Sequence, residues 1–324
     1  MANKKSKSSN KSNKTKSTKP AAEHSTAKTT TKATEVEEIE EVEEVVEEET
    51  TKSNTTKTTS EKSGKSCLSG FFARKYEEKE SILTVFKSHK FYGALLGEAV
   101  GTLLLAFLFF SLMLMGLANV ATYAFAIIAV LIAVYAFSGA CLNPLIVVGM
   151  MASRRMSVIR GVMYIIAEII GAWLGWIIFN AFHLAGGETA YEMSAISQIA
   201  EGGFMATAMV ELIGAIVIAF FFARALKYKR SVFTFGVTVA GGTALAVVFG
   251  YVVSAAFLSY NNNFIYNPAL ATMLQIFPTS GENFGEIFGG IMQALSVYVL
   301  IPMIGGILGF YISDFIARLS GDKE

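Results

Sequence analysis

Six long apolar segments constrain the fold of this chain more than any other feature of its sequence. They lie at about residues 92–117, 121–137, 158–182, 204–222, 232–258 and 287–316. Most of them reach the roughly 20 residues that an α-helix needs to cross a bilayer, and the second is near the lower limit. Because hydrocarbon cannot satisfy backbone N–H and C=O groups, we predict that each segment is a transmembrane helix. The sequence therefore predicts an all-α membrane protein with both termini on one side.

The polar residues are concentrated at the N-terminus. Apolar residues make up 53% of the 324-residue chain, yet residues 1–66 carry 25 of the 53 charged side chains. A segment so rich in Lys, Ser, Thr, Asn and Glu cannot bury enough apolar surface to fold. We predict a disordered cytoplasmic tail over residues 1–66, a basic amphipathic prelude over 67–90, a membrane domain over 91–316 and a short cytoplasmic tail over 317–324.

An acidic segment at residues 35–49 interrupts this polar tail. Val36, Ile39, Val42 and Val46 are three or four residues apart, which aligns them in a narrow stripe on a helix. Such a stripe is compatible with a partner-binding helix or a short coiled coil. The density of Glu residues favours the alternative, a solvated acidic segment that is at most transiently helical.

Basic residues lie in the loops on one side of the predicted membrane domain. They are Arg154, Arg155, Arg160, Arg224, Lys227, Lys229, Arg230, Arg318 and Lys323. The opposite loops carry acidic residues and no Lys or Arg: Glu188, Glu192, Glu201, Glu282 and Glu286. Since basic loops stay in the cytoplasm, we expect a multi-pass protein of the plasma membrane with cytoplasmic N- and C-termini.

Two Asn-Pro pairs lie in apolar segments that are too short to cross a bilayer. Asn143-Pro144 follows the second span and Asn267-Pro268 follows the fifth. Asn is a favoured N-cap and Pro suits the first helical turn, so each pair predicts the start of a re-entrant half-helix. The two half-helices would enter from opposite faces and direct their positive dipole ends at a common centre. An Asn amide there can donate to a water or hydroxyl oxygen, while the dipoles repel cations.

Other motifs recur in register with the Asn-Pro pairs. Glu98-Ala-Val-Gly101 in the first span matches Glu211-Leu-Ile-Gly214 in the fourth, and Glu168-Ile-Ile-Gly171-Ala172 in the third matches Pro302-Met-Ile-Gly305-Gly306 in the sixth. Three spans and one half-helix thus occur twice, and an odd number of spans inverts the second copy. Inverted repeats with broken helices are typical of transport proteins, with the solute site near the midplane.

The chain resembles the major intrinsic protein family, the aquaporins and glycerol facilitators, over about residues 91–316. Residues 138–145, SGACLNPL, are similar to that family's SGAHxNPA motif, and residues 267–270, NPAL, to its NPAR motif. The resemblance implies a six-span, aquaporin-like channel for water, glycerol or other small neutral solutes, usually a homotetramer with one pore per subunit. The residues that it assigns to the two pore motifs are Asn143, Pro144, Leu145, Asn267, Pro268 and Ala269.

The sequence departs from the family pattern within these motifs. Cys141 and Leu145 stand where the family has His and Ala, and Leu270 stands where it has the Arg of the outer constriction. The resemblance assigns the other constriction positions to Tyr123, Thr243 and Phe264. Such a filter is aromatic and apolar and has no fixed charge. We therefore expect a glycerol facilitator with some water permeation, and we keep a water-selective aquaporin as the alternative.

Three glutamates inside the predicted spans allow a further alternative, a proton-coupled transporter. Glu98 and Glu211 occupy equivalent repeat positions and match family residues that brace the half-helix loops, which favours a structural role. Glu168 stands where the family often has Gln, and its role is open. A non-conducting membrane scaffold that acts through its long N-terminal tail is another alternative, although such a scaffold would not need both Asn caps.

No catalytic or metal-binding pattern stands out in the chain. The three His and two Cys residues have no metal-ligand spacing, and no nucleophile has an adjacent base. We expect no enzyme activity, no cofactor, no metal and no nucleic-acid partner. The expected partners are a small neutral solute, the lipid bilayer and further copies of this chain.

Overall fold

The structure is a computed structural model that describes residues 82–114, 120–187, 203–228, 230–253, 264–274 and 283–321. All of these residues lie within one compact unit that spans Gly64–Glu324. The regular structure of the described residues is entirely helical. The predictions for the N-terminal tail and its acidic segment fall outside the described residues.

We number the described α-helices in chain order. They are α1 (Ile82–Lys87), α2 (His89–Leu114), α3 (Val120–Ser138), α4 (Pro144–Ala152), α5 (Val158–Ala185), α6 (Gly203–Ala225), α7 (Val232–Val253), α8 (Pro268–Leu274), α9 (Phe284–Leu295) and α10 (Ile301–Leu319). A 3-10 turn at Leu226–Tyr228 extends α6, and a π-helical turn at Ser296–Leu300 joins α9 to α10.

Six stretches of the described helices are long and apolar enough to cross a membrane. They are His89–Ser111, Ala121–Ser138, Val158–Ala185, Gly203–Tyr228, Val232–Val253 and Phe284–Leu319. Each of the six apolar segments predicted from the sequence corresponds to one of these stretches. The sixth combines α9, the π-helical turn and α10. These spans confirm the prediction of an all-α, multi-pass membrane fold.

The contacts between helices follow the inverted repeat. In the first repeat α2 packs against α3 and α5, and in the second repeat α6 packs against α7 and α10. The half-helices cross over between the repeats, since α4 packs against α10 and α8 packs against α5. The two half-helices also contact each other, and α3 contacts α7. Each half-helix is therefore held by the last span of the other repeat.

Small residues allow the long helices of each repeat to approach closely. Gly171 and Gly175 of α5 lie against the α2 backbone, where an added Cβ would come within 2.5 Å of a carbonyl oxygen. Gly305 and Gly309 of α10 lie against the α6 backbone in the same way, within 2.9 Å. A spacing of four places both glycines of a pair on one helix face. Such pairs are typical of membrane interfaces, where close backbone packing replaces the hydrophobic effect.

Candidate pore site between the two half-helices

Each half-helix begins at one of the two Asn-Pro pairs. Pro144 is the first residue of α4, and the Oδ1 atom of its N-cap, Asn143, accepts a hydrogen bond from the Leu145 N–H at 3.1 Å. Pro268 is the first residue of α8, and Asn267 Oδ1 accepts from the Ala269 N–H at 3.0 Å. Proline is suited to this position because the first helical N–H has no intrahelical acceptor. Both half-helices therefore start where the sequence predicts them.

The side-chain amides of the two asparagines join the half-helices to each other. Asn143 Nδ2 donates to the carbonyl oxygen of Tyr266 at 2.9 Å, and Asn267 Nδ2 donates to the carbonyl oxygen of Leu142 at 3.0 Å. Each acceptor is the residue that precedes the other asparagine, so the arrangement is reciprocal. An amide nitrogen carries two hydrogens, and the second N–H of each side chain can donate to a solute. The N-terminal, positive dipole ends of both half-helices lie at this location.

The two carbonyl acceptors belong to residues with left-handed backbone conformations. The φ angle is 51° at Leu142 and 53° at Tyr266. Non-glycine residues in such sparsely populated conformations cost on the order of 1–3 kcal/mol, so their surroundings must hold them in place. The backbone N–H groups at and before these two residues are bound by buried glutamates.

Glu98 and Glu211 make the same contacts in the two repeats. The Glu98 carboxylate on α2 accepts the N–H groups of Cys141 and Leu142 at 3.1 and 2.7 Å. The Glu211 carboxylate on α6 accepts the N–H groups of Ile265 and Tyr266 at 2.6 and 3.1 Å. Both glutamates are fully buried. Each therefore satisfies two backbone N–H donors of buried loop residues.

The glycine three residues after each glutamate makes room for a side chain of the same loop. An added Cβ on Gly101 would lie 2.4 Å from the Leu142 side chain, and one on Gly214 would lie 2.1 Å from the Tyr266 ring. Residues three apart share one helix face, so the glutamate holds the loop backbone while the glycine receives the side chain before the asparagine. This explains physically why the Glu-x-x-Gly pattern occurs twice.

A third carboxyl group, that of Glu168 on α5, contacts the first loop. Its Oε1 atom accepts the backbone N–H of Asn143 at 2.9 Å, and the side chain is fully buried. The matching position of the second repeat is Pro302, which has no such group. Sequence reasoning left the role of Glu168 open and missed this contact. The only signal was an acidic residue at a span position without an acidic counterpart in the other repeat.

The remaining motif residues are buried around the asparagines. Pro144, Leu145, Pro268 and Ala269 form the first turns of the two half-helices and are all buried. The Cys141 thiol is also buried, and its Sγ atom lies 3.6 Å from the Met150 sulfur. The residues that follow both N-caps are therefore shielded from solvent.

The residues assigned to the outer constriction occupy different surroundings. Tyr123 on α3 packs edge-on against the Phe109 ring, with 6.2 Å between the ring centroids. Phe264 stacks on the Tyr266 ring at 5.3 Å. Leu270 on α8 is 2% exposed and belongs to an apolar cluster that contains neither aromatic constriction residue.

The fourth assigned residue, Thr243, lies on α7, and its hydroxyl donates to the Val239 carbonyl oxygen at 3.0 Å. Phe264 packs against a later part of the same helix: an added Cβ on Gly250 would lie 2.8 Å from its ring. The Tyr251 ring contacts Phe264 edge-on at 5.2 Å. Seven residues of α-helix correspond to about 10 Å, so this contact lies well away from Thr243 along α7. Sequence reasoning did not identify Gly250 or Tyr251.

The fold and this site together define a membrane channel built from two inverted repeats. Comparison with known families identifies which kind. The sequence model of the major intrinsic protein family matches residues 85–313. The chain therefore belongs to the major intrinsic protein family, whose members are channels and not enzymes.

Comparison with solved structures also finds matches. One is the X-ray structure of the aquaglyceroporin from Plasmodium falciparum, with a TM-score of 0.47 and 15% sequence identity. The match covers 71% of this chain and 97% of that chain. Comparison with curated proteins finds no match.

Proposed function

We propose that the protein is a glycerol facilitator, a passive channel that conducts glycerol and similar small uncharged solutes together with some water. The observation that supports this most strongly is the reciprocal hydrogen bonding of Asn143 and Asn267 at the N-termini of the two half-helices. The second N–H of each amide is a donor for a solute hydroxyl. The converging positive dipole ends disfavour cations, hydronium included.

The preference for glycerol follows from the side chains that we assign to the outer constriction. Leu270 supplies neither the charge nor the hydrogen-bond donors that an arginine has. Tyr123 and Phe264 present aromatic surfaces, and the Thr243 hydroxyl already donates its hydrogen to a backbone carbonyl oxygen of α7. A polyol has CH groups that gain from contact with apolar surfaces, whereas water has none. Such a constriction favours glycerol over water.

We also assign Glu98 and Glu211 a bracing role instead of proton transport. Both oxygens of each carboxylate already accept backbone N–H groups, so neither is available to carry a proton across the membrane. Flux through the channel should therefore be driven by the solute gradient alone. Solute uptake that follows an imposed pH gradient would favour a coupled transporter.

The assembly and orientation belong to the same proposal. Described arginines lie after α4, near the end of α6 and near the end of α10, at Arg154, Arg155, Arg224 and Arg318. By the positive-inside rule these ends face the cytoplasm, as do both termini, in a plasma-membrane protein. We expect a homotetramer, as the family usually forms. Labelling of single cysteines from each side of the membrane and native mass spectrometry test these two points.

Stopped-flow light scattering on proteoliposomes tests the proposal. Vesicles with the protein are compared with empty vesicles for water, glycerol and a larger polyol. We expect glycerol re-swelling well above the empty-vesicle rate and little flux of the larger polyol. Fast water exchange without glycerol flux would identify a water-selective aquaporin instead. Neither flux, from protein shown to be folded, would overturn the channel proposal and favour the scaffold alternative.

A further inference from the structure

Two buried carboxyl groups lie side by side next to the first half-helix. Glu98 of α2 and Glu168 of α5 are each 0% exposed, and together they accept the backbone N–H groups of three consecutive residues, 141–143, so their carboxyl groups lie next to each other. In the described part of the chain, no Lys or Arg side chain contacts either group. A pair of buried carboxylates without a cation is unfavourable, because like charges repel strongly where water is excluded.

The hydrogen bonds around Glu98 identify it as the ionised member of this pair. Glu98 accepts from the backbone N–H groups of Cys141 and Leu142 and from the Ser138 hydroxyl. An ionised carboxylate is an acceptor only and offers about four lone-pair sites. Two donors of the first loop and the hydroxyl of Ser138, the last residue of α3, occupy three of these sites. The remaining site is adjacent to Glu168.

The two carboxyl oxygens of Glu168 differ in their hydrogen bonds. Its Oε1 atom accepts the Asn143 N–H, whereas its Oε2 atom is buried and has no donor within reach among the described residues. Two ionised carboxylates cannot hydrogen-bond to each other, since neither has a donor. One proton on Glu168 Oε2 gives this oxygen an O–H that can donate to Glu98, and it removes the second negative charge.

We propose that Glu168 is a positioning residue held in its protonated form: its O–H donates to Glu98 while its carbonyl oxygen accepts the Asn143 N–H. The pair carries one proton and one negative charge. This inference deepens the proposed function and rests on it for the flux measurement, because Asn143 is one of the two pore asparagines. When base removes the proton to form water, two adjacent anions remain and the contact that positions Asn143 is lost.

The other titratable groups that face the pair are Cys141 of the loop and Tyr164 of α5, with Arg160 beside Tyr164. The Tyr164 hydroxyl donates to the Ser138 carbonyl oxygen at 3.1 Å, and the Cys141 thiol points at the Met150 sulfur. Both hydrogens are therefore directed away from Glu168 Oε2. The proton on that oxygen has to be its own.

The variant Glu168→Gln tests this proposal because its side-chain N–H replaces the O–H at nearly the same place. Infrared difference spectra of wild type against Glu168→Gln should show the C=O stretching band of one protonated carboxylic acid at neutral pH. We expect the wild-type band to disappear at alkaline pH, with a several-fold fall in glycerol flux over the same range. Glu168→Gln should keep the neutral-pH flux and show no such fall.

Glu211→Gln is the matched control, since among the described residues Glu211 binds its loop without a carboxyl neighbour. It should leave the protonated-acid band in place. Absence of that band from wild-type protein overturns the proposal, even where the glutamine variant does not fold. A glutamine variant with the wild-type pH profile overturns it as well. The infrared band is measured on folded protein without any solute. The result of this measurement therefore does not depend on whether the protein conducts glycerol.

Discussion

The two repeats hold nearly the same loop geometry with different chemistry. In the first repeat, the carboxyl groups of Glu98 and Glu168 both contact the loop before the half-helix, whereas Glu211 is the glutamate that binds the second loop. The position that matches Glu168 is Pro302 in α10. The residues before the two asparagines differ in φ by only about 2°. The backbone geometry is therefore symmetric, while among the described residues the second carboxyl group contacts only the first loop.

The second loop is stabilised by aromatic packing where the first has the additional carboxyl group. The Tyr266 ring lies in a gap between α6 and α7 that Gly214 and Gly250 leave open. Phe264 stacks on the same ring. The corresponding residue of the first loop, Leu142, is a smaller and more flexible side chain. We expect the first repeat to respond to pH and the second to respond to changes in side-chain volume.

Removal of the bracing glutamates should have the largest effect. Glu211→Leu leaves two buried backbone N–H groups without acceptors, at about 1–3 kcal/mol each. Glu98→Leu leaves the same number of N–H groups and also deprives Ser138 and Glu168 of their partner. We therefore expect both variants to lose glycerol flux and thermal stability in detergent, with the larger drop in Tm for Glu98→Leu. Equal drops would contradict the idea that the first loop depends on a larger network.

Leu270→Arg should have the next largest effect. Leu270 follows its asparagine by three positions, as Ile146 follows the other, and both are buried aliphatic residues in this chain. The side chain of an arginine at position 270 narrows the constriction, and it also adds a positive charge and hydrogen-bond donors. We expect glycerol flux to fall about tenfold, which corresponds to a barrier increase of roughly 1.4 kcal/mol. Leu270→Met conserves volume and should leave the flux unchanged, as measured by stopped flow. Equal flux in both variants would show that position 270 does not form the filter.

Much of this arrangement was predictable from the sequence for definite physical reasons. The spans follow from the length and apolarity of their segments, and the half-helix starts follow from the capping chemistry of Asn143 and Asn267. The repeated Glu-x-x-Gly pattern pointed to equivalent positions on α2 and α6. Each of these signals lies within a short stretch of sequence. The membrane environment requires each of them, whatever the distant segments of the chain pack against.

The features that the sequence did not predict depend on packing between distant segments. The contact of Glu168 with Asn143 arises because α5 lies beside the first loop, and no second copy of the residue signals it. The contact of Phe264 with Gly250 depends on the long link between α7 and the second loop. Because of this link, counting residues back from the second Asn-Pro pair does not show which residues of α7 lie beside Phe264. The crossed packing of α4 on α10 and of α8 on α5 is likewise a property of the assembled fold.

Replacement of Gly101 or Gly214, the glycines of the Glu-x-x-Gly pattern, by alanine should have effects of intermediate size that differ between the two positions. The added methyl group of Gly214→Ala meets the Tyr266 ring, which is also confined by Phe264 and Gly250. In Gly101→Ala it meets the end of the Leu142 side chain, which has more freedom to rotate. Overpacking of this kind costs about 1–3 kcal/mol. We expect a clearly larger drop in Tm for Gly214→Ala. The reverse order would show that the first loop is the more tightly packed of the two.

The smallest effect should come from the far end of the first half-helix, where Arg155 joins this repeat to the second one. Its guanidinium makes two hydrogen bonds to Asp314 of α10, at 2.7 and 3.0 Å, and lies over the Phe310 ring. Arg155→Lys keeps the charge but loses the paired geometry, because a lysine ammonium cannot make the two parallel hydrogen bonds of a guanidinium. We expect a cost of about 1 kcal/mol, the typical net contribution of one hydrogen bond, measured as a small drop in Tm, with unchanged glycerol flux. A flux change without a Tm change would mean that this ion pair acts on the pore itself. The unchanged flux that we expect would separate the two ends of α4: its Asn143 end determines conduction, and its Arg155 end contributes only to the packing of the repeats.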